Sequence, residues 1–165
     1  MNAIISKKHR RLIVPHTPAL AALCNSPVVF PMDGAPHMAV PHDAEHVRLA
    51  RNFGIQAQPP VLTYYDWTNG TPFEAQRLSA AMLSMEKRGY VLNGMGTGKT
   101  KTVLWAYDWL RREKQVRRML VVAPLSTLNL TWMREVFTTT PHLRAVVLYG
   151  TREKRLRMLD VDADI

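Results

Sequence analysis

The sequence predicts an α/β fold: a parallel sheet flanked by helices over residues 71–165, with a small mixed region over residues 1–70 ahead of it. Three observations carry this reading. From residue 71 onward, apolar runs alternate with helical periodicities in the order strand, helix, strand, helix, strand, helix. That order calls for parallel strands joined by right-handed crossovers. Met119-Leu120-Val121-Val122-Ala123 and Ala145-Val146-Val147-Leu148-Tyr149 are continuously apolar, as in strands covered on both faces. Before residue 71 the texture differs. Pro15, Pro18, Pro27, Pro31, Pro36, Pro41, Pro59 and Pro60 cut the apolar runs short, as turn formers do.

Size and charge bound the answer. The chain has 165 residues, 47% hydrophobic and 21% charged, which excludes wholesale disorder and fits one domain, or one small domain with an appendage. Lys and Arg number 22 against 13 acidic residues, a net charge of +9. Such an excess suits a polyanionic partner, nucleic acid first. Cys24 is the single cysteine, so no internal disulfide forms and a reducing compartment is expected. No segment approaches the ~18 apolar residues of a membrane span, and no membrane partner is expected. Lys7, Lys8, Arg10 and Arg11 precede apolar residues as in a signal peptide, but Pro15-His16-Thr17-Pro18 interrupts the run.

Taken in order, Ile4-Ile5, Leu12-Ile13-Val14, Val28-Val29-Phe30 and Met38-Ala39-Val40 read as short strands, and Pro41 to Asn52 as a helix ending before Gly54. His42-Asp43-Ala44-Glu45-His46 has the spacing of an inverted zinc-peptidase motif. It reads better as a surface helix with acids at its start. Thr71 is placed to cap the next helix, with Pro72 at its first position and Glu74 closing a capping box. Leu78, Ala81, Met82 and Met85 form its apolar face. Gly89 ends it, and Tyr90-Val91-Leu92 is a strand. A helix follows from Lys99 to about Lys114, with Val103, Ala106, Tyr107 and Leu110 on one side and Leu104, Trp105 and Trp109 on a second. Asn129 to Phe137 and Thr151 to Leu159 are helical. Arg111, Arg112, Lys114, Arg117 and Arg118 crowd a helix end, where cations suit the dipole. Arg152, Lys154, Arg155 and Arg157 surround the last helix, as a wet face or part of a nucleic-acid track.

The chemistry sits at Asn93-Gly94-Met95-Gly96-Thr97-Gly98-Lys99-Thr100. A strand before it and a long helix after it are the setting of a phosphate loop. Its glycines let successive N–H groups converge on one concavity, and the helix N-terminus adds partial positive charge. Lys99 is placed to reach the beta and gamma phosphates, and the Thr100 hydroxyl to ligate Mg²⁺. Asn93 stands where the strict Walker A pattern has glycine, so the loop fits a looser form.

Pro72-Phe73-Glu74-Ala75-Gln76 and the loop from Met95 to Thr100 together resemble superfamily 2 helicases of the Swi/Snf-like, phage-type group. Ala123-Pro124-Leu125-Ser126-Thr127-Leu128, with Trp132 and Glu135, is similar to that group's next motif, and Tyr149-Gly150 to a further strand-end motif. The resemblance covers residues 71–165. Asn52-Phe53-Gly54-Ile55 and Tyr65-Asp66-Trp67 match more loosely, with Tyr65 or Trp67 either stacking on adenine or packing in the core.

This resemblance implies the N-terminal part of an ATP-binding, RecA-like P-loop domain from an ATP-dependent DNA helicase or translocase. ATP and Mg²⁺ are the implied cofactors and DNA the implied partner. Gln76 reads adenine, Asn93 to Thr100 hold the triphosphate, and Lys99 and Thr100 serve catalysis. Pro124, Leu125, Ser126, Thr127 and Gly150 face nucleic acid. The group's acidic Mg²⁺ motif and second motor domain are expected in cis beyond Ile165, so residues 1–165 alone are expected to turn over little ATP. A cytoplasmic location follows, in the bacterial host for a phage product. The alternative is a stand-alone basic module that binds ATP or nucleic acid without hydrolysis.

Overall fold

A computed structural model describes residues 2–67, 69–86 and 88–165. It divides into two compact units, residues 1–65 and 66–165.

The first unit is built on an antiparallel sheet of β1 (Ile4–Ser6), β2 (Arg11–Pro15), β3 (Val28–Met32) and β4 (Ala35–Pro41), in the spatial order β1-β2-β4-β3. Leu12 pairs with Val40 and Val14 with Met38. All four are at most 1% exposed, so the period-2 alternation sends one face of the sheet into the core. Asp33-Gly34 joins β3 to β4 with φ of 50° and 77°. Positive φ at both central residues is the two-residue hairpin geometry that matches strand twist. Three helices complete the unit: α1 (Pro18–Leu23), α2 (Ala44–Asn52) and α3 (Pro60–Tyr64). Thr17 caps α1 through the Leu20 N–H, and Asp43 caps α2 through the His46 N–H at 2.9 Å. The helix expected from Pro41 therefore starts at Ala44, because Pro41 belongs to β4 and Asp43 is the cap.

The second unit holds α4 (Glu74–Met85), α5 (Lys99–Arg112), α6 (Leu125–Thr127), a π-helical turn at Leu128–Met133, α7 (Arg134–Thr139) and α8 (Arg152–Leu159). Helix α5 packs against both α4 and α7. Leu104 and Tyr107 of α5 meet Val136 of α7 and Leu143 in the core, with Trp132, Met119, Ala145 and Ile165 around them.

Two expectations about α4 need correction. Its N-cap is Phe73, not Thr71. Phe73 has no side-chain acceptor, and the return bond comes from Gln76, whose Oε1 accepts the Phe73 N–H at 2.9 Å. Its buried residues are Gln76, Ala80, Ala81, Ser84 and Met85, while Leu78 is 54% exposed. The buried face thus keeps Ala81 and Met85 of the expected stripe and adds Gln76, Ala80 and Ser84 in place of Leu78.

The expected parallel sheet has no ladder among the described residues. Among the described residues the assigned strands all lie in the first unit and pair antiparallel. Residues 90–92, 119–123 and 145–149 carry no strand assignment. Two of these segments are joined at one end to residues 164–165. The Ile165 N–H donates to the Arg144 carbonyl at 3.2 Å, the Val146 N–H to the Ile165 carbonyl at 3.0 Å, and the Met119 N–H to the Asp164 carbonyl at 2.9 Å. The first two bonds bracket Ala145 in the pattern of a parallel pair. Beyond them Leu120 is 79% and Val122 90% exposed, and a cavity of about 380 Å³ opens between Met119–Val121 and Ala145–Leu148. A strand is defined by its ladder, and an apolar run without one stays extended but unassigned.

Candidate functional site

The glycine-rich loop lies between α4 and α5, and both helices shape it. Gly96 and Gly98 adopt φ of 73° and 74°, the left-handed region that glycine enters without steric cost. Gly98 is the N-cap of α5, and its carbonyl accepts the Thr102 N–H at 3.1 Å and the Thr102 hydroxyl at 3.2 Å. Lys99 bends back over the loop, its Nζ donating to the carbonyls of Asn93 at 2.9 Å and Gly94 at 2.7 Å. The Thr97 hydroxyl donates to the Gly94 carbonyl at 2.9 Å. Thr100 is half-buried in the first turn of α5, and Met95 is 98% exposed at the loop tip.

Gln76 is 6% exposed and joins α4 to this loop. Its Nε2 donates to the Thr97 carbonyl at 3.0 Å, while its Oε1 holds the start of its own helix. A side-chain carbon at Gly98 would enter the space of the Gln76 amide and displace it, in addition to the strain at its φ of 74°. Asn93 also has a defined task. Its Nδ2 donates to the Ser79 hydroxyl of α4 at 3.2 Å, pinning the point where the loop begins. Ser79 was not among the residues singled out in the sequence, yet it lies three positions after Gln76. That spacing puts both side chains on one helix face.

The remaining expected residues form separate local turns. Pro124 precedes α6, and its carbonyl accepts both the Thr127 N–H at 2.9 Å and the Thr127 hydroxyl at 2.8 Å. Leu125 and Ser126 are exposed beside it. The π-helical turn that follows is a geometry frequent at functional sites. Gly150 has φ of 115° and leads into α8, which Thr151 caps through the Lys154 N–H at 3.3 Å. Trp67 packs edge-on against Trp105, ring centroids 5.5 Å apart, and Tyr65 is buried.

The basic cluster at the end of α5 is held by carboxylates. Arg112 reaches Asp108 at 2.8 Å and Asp66 at 3.7 Å, and Arg111 pairs with Asp164. Asp108 is 1% exposed and also meets His142 Nε2 at 2.7 Å, tying α5 to the residues after α7. Burial pushes the Tyr107 hydroxyl above its usual pKa, and that hydroxyl donates to the Asp164 carbonyl at 2.7 Å.

The zinc-type spacing resolves into structural bonds. His42 precedes α2, so it does not share a helix face with His46. Its Nε2 meets the Gln58 carbonyl at 2.8 Å and its Nδ1 the Tyr64 hydroxyl at 2.9 Å. A carbonyl only accepts, so Nε2 carries the proton and Nδ1 accepts from tyrosine. His46 Nδ1 meets Asp43 at 2.8 Å. Among the described residues no cluster of three metal-ligating side chains occurs.

A glycine-rich loop thus runs into the N-terminus of a long helix, with a buried glutamine from the preceding helix bonded to it. The chain belongs to the SNF2-related domain family, whose model matches residues 68–165. It is 35% identical to the ISWI chromatin-remodeling complex ATPase ISW1 of Saccharomyces cerevisiae over 53% of this chain and 8% of that protein. It is 31% identical to the CHD3-type chromatin-remodeling factor PICKLE of Arabidopsis thaliana over 68% of this chain and 8% of that protein. The chain thus spans less than a tenth of the length of these relatives. No solved structure matches it.

Proposed function

We propose that residues 66–165 are the nucleotide-binding front part of an ATP-dependent DNA translocase, with the triphosphate held by Asn93 to Thr100. The observation that carries this reading is the position of Lys99. Its ammonium lies over the loop on two backbone carbonyls, neutral partners that a phosphate oxygen outbids, because charge-assisted bonds are roughly twice as strong. The loop fits such a group in a second way: Gly96 and Gly98 take the left-handed conformation that a phosphate-cradling turn uses.

When bound, Mg·ATP supplies the phosphoryl group whose transfer to water drives such motors. This chain's residues then have distinct tasks. Lys99 neutralises phosphate charge, the Thr100 hydroxyl offers one oxygen to the metal, and the Gln76 amide, already fixed at Thr97, holds the loop and has donor and acceptor capacity left for adenine. Pro124 to Thr127 and Gly150 are assigned to the nucleic-acid side. The reading includes a parallel sheet completed around residues 119–123 and 145–149, a carboxylate motif and a second motor domain beyond Ile165, and a cytoplasmic setting. Translocation on DNA is inferred from the relatives, whose names describe chromatin-remodeling proteins.

Calorimetric titration with Mg·ATP tests the site. Lys99→Ala removes a contact worth about 1.5–3 kcal/mol, so affinity falls at least about tenfold. Equal affinity of the two proteins overturns the loop assignment.

A further inference from the structure

The first unit lies outside the matched family region, and it presents a feature that the nucleotide site leaves unexplained. Strands β1 and β2 are joined by Lys7-Lys8-His9-Arg10, all four exposed. Arg11 follows at the head of β2, and no Asp or Glu occurs in the sequence before Asp33. The tip is therefore a block of cations with no acidic residue on either strand of its hairpin.

The tip is also braced. The Arg10 N–H closes the turn on the Lys7 carbonyl at 3.3 Å, and the Arg10 carbonyl accepts the His42 N–H at 2.9 Å. The Arg10 guanidinium lies 4.7 Å over the Tyr64 ring, and Tyr64 is itself bonded to His42. Arg10 adopts φ of 49°. That conformation costs a residue with a side chain and costs glycine nothing. An arginine there accepts backbone strain and places a third cation beside Lys7 and Lys8. Strain of this kind gathers where a ligand is met.

We propose that the β1–β2 hairpin is a second nucleic-acid contact, in which Lys7, Lys8 and Arg10 grip the phosphodiester backbone of duplex DNA without reading sequence. A preorganised cluster of cations suits phosphates, which position a protein and carry no base information. The assignment rests on the DNA reading above and adds to it a contact outside the motor family's region.

The test is fluorescence anisotropy of the full chain with a labelled DNA duplex across a salt series. The K7Q/K8Q double variant is expected to bind about tenfold or more weakly near 0.1 M salt, and to lose roughly 1.8 from the log–log salt slope, about 0.9 per contact. R10G is the second variant. Relief of strain in the left-handed turn offsets the lost contact with the Tyr64 ring, so this variant is expected to keep the melting temperature while weakening DNA binding, a pairing that a merely structural arginine does not give. Lys99→Ala is expected to retain the wild-type salt slope. Wild-type binding and slope in both hairpin variants overturn the hairpin contact and leave the DNA reading standing. No duplex binding by the wild type at low salt overturns both.

Discussion

A methyl group on Gly98 would collide with the Gln76 amide, and the same residue holds φ at 74°. Both effects act on Gly98→Ala, but they separate in a double-mutant cycle. Gly98→Ala alone is expected to destabilise the second unit by about 1–3 kcal/mol, from left-handed strain plus a displaced glutamine. In a Gln76→Ala background the collision disappears, and the remaining cost is the strain alone. Urea midpoints followed by tryptophan fluorescence measure all four corners, since the four tryptophans lie at or beyond Trp67. Strict additivity would show that the amide and Gly98 do not share space. The sequence made Gln76 and the glycines visible through their motifs. It hid the dual use of the glutamine, because the residue it caps is Phe73, a side chain with no oxygen to suggest a helix start.

At the scale of elements, local chemistry was the legible part. The four N-terminal strands could be read from short β-branched and apolar runs, and Asp33-Gly34 is a hairpin turn in its own right. Helix faces were harder. The α4 periodicity pointed to Leu78, Ala81, Met82 and Met85; Ala81 and Met85 are buried, while Leu78 and Met82 are exposed. Strand pairing in the second unit was not legible at all, because a ladder is a long-range fact that an apolar run does not carry. Helix α2 supplies a pH test. Burial lowers the pKa of His42, at the head of that helix, below its ordinary value of 6.5. The unfolded chain then binds more protons than the folded one, so stability rises with pH. It is complete above 6.5 and is lost as pH falls below that value toward the lowered folded pKa. Amide hydrogen exchange at Leu12, Val14 and Val40 is expected to lose protection as pH falls below 6.5. His42→Gln should flatten that slope, and an unchanged slope would remove His42 as its source.

For the molecule as a whole, the net charge of +9 favours both solubility and contact with polyanions, and the two roles pull on the same residues. Polyanion binding therefore masks the charge that keeps chains apart. Against this stands the second unit's surface: Tyr90, Leu92, Leu120 and Val122 are each more than three-quarters exposed, on backbone that lies in no helix or sheet among the described residues.

Such backbone is a template for another chain, because open N–H and C=O groups beside apolar side chains invite edge-to-edge addition. The purified protein is expected to self-associate as concentration rises, most readily at high salt where mutual repulsion is screened. Light scattering across a dilution series checks this. A lysine at position 122 (Val122→Lys) should act as a gatekeeper and delay the onset. A chain that stays monodisperse at high salt would mean these edges are covered in solution.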